Sequence, residues 1–328
     1  SPATFAVAMG FLGNDCPIYA SKYRIFEFFV ASPRPPKKLK HNRFPSTPNT
    51  MNLKKNLICA FLILSSTLGF ADKVKVLYVT HEPGKWHKYT PQLALFRDIA
   101  KEADWDLTVW TGEHDAQIKK LRTKDFGKGY DALVYNFCFA TSRDTEAADN
   151  LMDQTRVNGV PALLIHCAMH SWWDTYKNGK EGAINTICGH YHGKAKAKED
   201  LVKEWKKANG DKAFPAWGDF TGVASHRHGP QQPIVMTSVA KDHPVTKRFP
   251  DGFTTGNTEL YNNAYVLDEV VPLIKGKQGN SEAIVVWTCP QGKSQVMGLS
   301  TGHGVDDWTA KPFQNLVIDG VHYLAAKK

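Results

Sequence analysis

Twelve of the chain's thirteen histidines lie beyond residue 71, many of them beside glycines or just after apolar runs. Imidazole is both an acid–base group near neutral pH and the commonest nitrogen ligand of zinc, so this distribution points to a polar site. The sharpest case is Gly159-Val-Pro-Ala-Leu-Leu-Ile-His166-Cys167-Ala-Met-His170, a short apolar stretch that stops abruptly at His, Cys and His. Ligands in open α/β sheets collect outside the carboxyl ends of the strands, which is where these side chains would stand. His166 and His170 lack the Glu that a zinc-peptidase helix requires after its first His, because Cys167 occupies that place. His190-Tyr-His192 and His226-Arg-His228 are His-x-His pairs, and each offers at least one imidazole ligand.

Other chemistry-bearing motifs weigh less. Gly298-Leu-Ser300-Thr-Gly302 matches a nucleophile elbow, but only Asp306, Asp307, Asp319 and His322 follow to complete a triad. Cys167 invites comparison with a cysteine nucleophile, yet no glycine flanks it to relieve a strained turn, and a packed thiol is expected. Cys138, Cys167, Cys188 and Cys289 are too widely spaced for a disulfide scaffold or a metal knuckle; an oxidising compartment permits one or two bridges that the sequence does not pair, and buried free thiols are the default expectation. No dinucleotide or phosphate-loop glycine motif is present.

The elements that must position these residues alternate. Val74–Thr80, Asp106–Thr111, Tyr130–Asn136 and Val160–Ile165 are apolar, β-branched runs expected as strands. Phe96, Ile99, Ala100 and Ala103 repeat at helical spacing, as do Ala148, Leu151, Met152 and Thr155 in a second helix that Thr141 would cap. This rhythm means βαβ units and a parallel sheet. Residues 171–230 interrupt it with an aromatic, lysine-rich insertion. Ile234–Ser238, Val270–Lys275, Ala283–Thr288 and Ser294–Leu299 restore strands, and Pro312–Ala326 closes as an apolar-faced helix.

The amino end reads differently. Met51-Asn-Leu-Lys-Lys55, an apolar core at Leu57–Leu64 and Gly69-Phe-Ala71 follow the order of a secretory signal peptide, too short for a membrane span. Residues 1–50, rich in Pro and basic side chains, are expected to be a spurious or disordered extension. The organisation is therefore an extension (1–50), a signal peptide (51–71) and one domain (72–328), exported to the periplasm or secreted by a bacterium. Residues 1–71 hold nine Lys/Arg against two Asp/Glu, which leaves 32 against 30, a net of +2. That balance gives no case for nucleic acid. No membrane span is expected after signal removal, and homo-oligomerisation stays open.

Lys73–Lys328 resembles the ThuA-like (trehalose utilisation) domain family. The resemblance rests on Gly84-Lys-Trp-His87, Ile165-His166, Gly189-His190-Tyr191-His192, His243-Pro-Val-Thr246 through Glu259-Leu-Tyr261, and a closing block of Trp287, Gly292-Lys293, Ser300, Gly302-His303, Trp308, Pro312–Leu316 and Gly320. It implies an α/β fold, flavodoxin-like or class I glutamine amidotransferase-like, with a mostly parallel sheet and helices on both faces. It also implies carbohydrate catabolism, with a small-molecule sugar as partner. The expectation is an enzyme acting on a disaccharide or keto-sugar, with His87, His166, His303 and Glu259 as its catalytic groups. Trp86, Asn136, His190, His192, Trp172 and Trp308 would bind substrate. Two alternatives stand beside it: a zinc-dependent hydrolase with ligands from His166, His190 and His303, and a non-catalytic carbohydrate-binding protein.

Overall fold

The structure, a computed structural model, describes residues 72–142, 144–172, 217–225, 227–263 and 265–328. The extension, the signal peptide and most of the insertion, including His190 and His192, lie outside the described residues.

The fold begins with strands that have no polar side. β1 (Lys75–Val79), β3 (Ala132–Tyr135) and β4 (Ala162–Ile165) are almost wholly buried on both faces, as parallel strands under two helical layers must be. β2 (Asp106–Trp110) takes the edge and is only half covered. β1 pairs in parallel with both β2 and β3, β3 with β4, and β4 with β13 (Ser294–Leu299). The chain thus leaves β1 in opposite directions to reach β2 and β3, and a crevice opens outside their carboxyl ends.

Past β13 the sheet changes character. β12 (Ser281–Gln291), β11 (Val271–Gln278), β7 (Val235–Ser238) and β8 (Phe253–Thr254) all join antiparallel, completing nine strands in the order β2-β1-β3-β4-β13-β12-β11-β7-β8. The expectation of a mostly parallel sheet is corrected to a mixed one. The reason is local: Gly279-Asn280 and Gly292-Lys293 connect β11 to β12 and β12 to β13 with two residues each, and loops this short permit only antiparallel return. Both glycines have positive φ, +56° and +57°. Gly298 of β13 serves packing instead, since a Cβ there would lie 2.0 Å from the ring of its register partner Trp287.

Two ribbons complete the strands: β5 (Val223–Ala224) with β10 (Tyr265–Val266), and β6 (His228–Gln232) with β9 (Thr258–Tyr261). Helices cover both faces as expected. On one face α1 (Tyr89–Glu102) and α6 (Lys311–Ala325) bury Phe96, Ile99, Leu316 and Val317 against Val76, Tyr78, Leu163 and Met297, with α5 (Val305–Thr309) alongside. On the other, α2 (His114–Leu121), α3 (Thr145–Arg156) and α4 (Trp217–Thr221) pack Ile118, Leu151 and Trp217 against Leu77, Leu133 and Leu164. α2 went unforeseen in the sequence because its eight residues carry few apolar positions. The cap of α3 is Asp144, which accepts a hydrogen bond from the Ala147 amide at 3.0 Å, rather than Thr141. Among the described residues no helix is long and apolar enough to cross a membrane.

Candidate functional site

Three chain segments meet where the parallel strands end. The loop after β1 brings His87. His166 follows β4 directly and opens a 3-10 turn (His166–His170) with φ +47°, a left-handed conformation that costs a non-glycine residue energy and is held here by its surroundings. The loop after β13 brings His303. The ring centroids of His87 lie 4.9 Å from those of both His166 and His303, and the latter two are 5.3 Å apart.

His166 and His303 are each positioned by specific partners. His166 Nδ1 lies 2.7 Å from the Ser300 carbonyl at the end of the adjacent β13, so that nitrogen is the protonated donor and Nε2 carries a lone pair. That Nε2 faces His303 Nδ1 at 3.3 Å and the Tyr261 hydroxyl at 3.2 Å. His303 is placed through its backbone: Asp307 Oδ2 accepts from the amides of Gly302 (2.8 Å) and His303 (3.0 Å) and from the Thr258 hydroxyl (2.6 Å). Gln92 Nε2 donates to the carbonyls of Gly302 and His303. Burial raises the Asp307 pKa, against which these donors pull downward.

Glu259 arrives from outside the main sheet, on β9. Its Oε2 lies 3.2 Å from His303 Nδ1 and 3.6 Å from His166 Nε2. Its Oε1 accepts from Gln231 Nε2 at 3.3 Å and stands 3.6 Å from His228 Nδ1. Burial alone would raise this carboxyl, but the neighbouring His166 and His303 rings outweigh it and hold Glu259 below the usual carboxylate range. His87 is pushed down to about 2, by burial first and then by the two neighbouring imidazoles, so it is neutral at any physiological pH.

His87, His303 and Glu259 form the floor of a pocket of about 610 Å³, with His166 buried just behind them, and its wall includes Trp86, His170, Arg227, His228, Gln231 and Tyr261. Trp86 is 45% exposed at its rim. Cys138 and Cys167 also reach it and are joined as a disulfide with Cα atoms 5.1 Å apart, which corrects the expectation of free thiols for these two. The bond spans the loop after β3 and the turn after β4, and it leaves Cys167 no thiolate to act as a nucleophile. Cys289 is free and buried.

His87, His166, His303, Glu259 and Trp86 are therefore brought together. Three other expected substrate-binding residues are not. Trp172 is fully buried 4.7 Å from Trp217, its indole donating to the Asp144 carbonyl. Trp308 is fully buried against Phe96 and Phe313 and donates to the Gly302 carbonyl. Asn136 donates to Tyr78 Oη (2.7 Å) and Gln92 Oε1 (2.8 Å) beneath the site. In each case an internal partner satisfies the polar atom. Tyr261, Gln231 and Arg227 were missed. Tyr261 sits two residues from Glu259 on one strand, so strand alternation alone puts both on one face.

Comparison with known proteins agrees with this architecture. The family described as ThuA, trehalose utilisation, matches residues 75–324. A putative ThuA-like protein from Parabacteroides merdae superposes with a TM-score of 0.55 at 14% identity, covering 77% of this chain and 90% of that one. One from Bacteroides uniformis gives 0.52 at 16% identity, covering 79% and 94%. At these identities the likeness is one of fold. No curated protein matches the sequence.

Proposed function

We propose, for a chain that belongs to the ThuA (trehalose utilisation) family, that the pocket outside β1, β4 and β13 is the reactive centre of an enzyme acting on a disaccharide or keto-sugar. The observation that carries this is the convergence of His87, His166, His303 and Glu259 from four separate segments at one pocket, with His87, His303 and Glu259 on its floor and His166 just behind. Such a group of imidazoles and an ionised carboxylate is suited to moving a proton to or from a sugar hydroxyl or a water. His87, neutral and far too weak a base to carry a proton near pH 7, contributes a lone pair rather than a proton. The pocket volume is of the size that small-molecule sites use, and the exposed Trp86 ring offers an apolar platform for a sugar face. Export to the periplasm or beyond is part of the reading, supported by a disulfide of the kind that persists in oxidising compartments.

The test is to incubate the purified chain with trehalose, sucrose and their 3-keto forms and resolve the products by chromatography. Product is expected from at least one, and none from the H166A/H303A double variant with its circular dichroism unchanged. Binding without product from any sugar would make the protein a carbohydrate-binding module instead.

A further inference from the structure

We propose that His166 Nε2, His303 Nδ1 and Glu259 Oε2, with His87 beside them, bind one divalent transition-metal ion of the zinc class. The inference deepens the reading above and rests on it only for what the ion would do; the binding itself stands on geometry.

The three atoms form a triangle with sides of 3.3, 3.6 and 3.2 Å. A four-coordinate zinc with bonds of about 2.0–2.1 Å sets its ligand atoms roughly 3.3 Å apart, so the triangle has the dimensions of one face of such a tetrahedron. A ligand nitrogen of His87 lies within 4.8 Å of those of His166 and His303, within reach of the same point after a small side-chain adjustment.

Proton counting leaves a place for a cation at this point. The neutral His166 ring gives its N–H to Ser300, so its Nε2 presents a lone pair, and the Glu259 Oε2 carboxylate oxygen beside it presents others. These acceptors converge on one another with only His303 and the Tyr261 hydroxyl nearby to donate. His87 Nδ1 is buried with no hydrogen-bond partner. Converging unshared pairs are costly when buried and are what a positive ion satisfies.

The supports match those of a metal site. The Ser300 carbonyl orients His166, Gln231 holds Glu259 Oε1 and leaves Oε2 to the centre, and Asp307 holds the backbone of His303. A nitrogen-and-oxygen donor set without thiolate suits Zn, with Co, Ni, Mn and Fe as competitors. The side toward the pocket stays open, which is the arrangement of a catalytic ion: a bound water there is made more acidic, or a sugar oxygen is polarised.

The experiment strips the full purified chain with a chelator, dialyses it against Zn²⁺ or Co²⁺ and measures bound metal by elemental analysis. About one ion per chain is expected, with the visible absorption of four-coordinate cobalt. E259Q, H166A and H303A should each weaken zinc at least about tenfold. H243A, whose ring lies 4.6 Å from Tyr323 and outside the pocket, should not. E259Q is isosteric and carries the comparison where a histidine variant fails to fold. A chain that retains no zinc, or an E259Q variant that binds it unchanged, overturns the proposal. Stoichiometric zinc in a chain that turns over no sugar upholds the metal centre and sinks only the carbohydrate reading.

Discussion

Two groups of buried polar residues lie within a few ångströms of one another and behave oppositely. Beneath the site, Asn136, Gln92, Tyr78 and the Trp308 indole bond to each other and to backbone. At its floor, His303 and Glu259, with His166 buried just behind them, converge on a common point beside open space. From the sequence both groups look functional, since a polar or aromatic residue after a strand can do either job. The distinction is whether the polar atom finds its partner inside the fold. The lower group should answer to stability measurements and the upper one to activity and ligand measurements.

The largest separation is expected at Glu259. E259Q should lower turnover by about 10²–10⁴-fold while the melting temperature stays nearly unchanged. A variant that melts early and retains its rate would move Glu259 into the lower group. W308A makes the opposite prediction. It empties a fully buried indole site and should destabilise by about 3–5 kcal/mol in denaturant titration.

His81 tests a different edge of the comparison through pH. Burial, followed by the neighbouring His114, pushes it down from 6.5 to about 4. Between those values the unfolded chain holds a proton that the folded chain refuses. Stability from this group is therefore full above about pH 6.5 and declines as pH falls toward 4, by about 2 kcal/mol at pH 5. Melts at pH 7 and pH 5 should show a steeper loss in the native chain than in H81Q; equal losses would remove His81 from the account.

N136A is expected to cost about 1–3 kcal/mol by stranding the Gln92 and Tyr78 groups it serves. A fall in turnover larger than that in stability would show that the Asn136–Gln92–His303 chain also aims the imidazole. The smallest effect belongs to Trp86. W86A should leave stability within about 0.5 kcal/mol, as at an exposed position, and raise KM for sugar with kcat retained.

How much could be read in advance follows from range. β1, β3 and β4 announce themselves because a strand buried on both faces has to be apolar throughout. α6 does so because its buried face repeats at helical spacing over fifteen residues. His87, His166 and His303 stood out as polar residues at the ends of such elements. The mixed sheet was less legible, although the two-residue glycine loops that force it are themselves local signals.

Local pattern determined the strands, the long helices, the family and the strand ends where chemistry would collect. Only the tertiary structure decided that Trp172, Trp308 and Asn136 face inward, that Cys138 meets Cys167, and that Glu259 crosses from a separate ribbon to within 3.2 Å of His303. The physical reason is that secondary structure is set by neighbours a few residues away. A buried polar atom is satisfied instead by whatever partner the fold brings to it, as when Asn136 meets Tyr78 from 58 residues away and His166 meets Ser300 from 134.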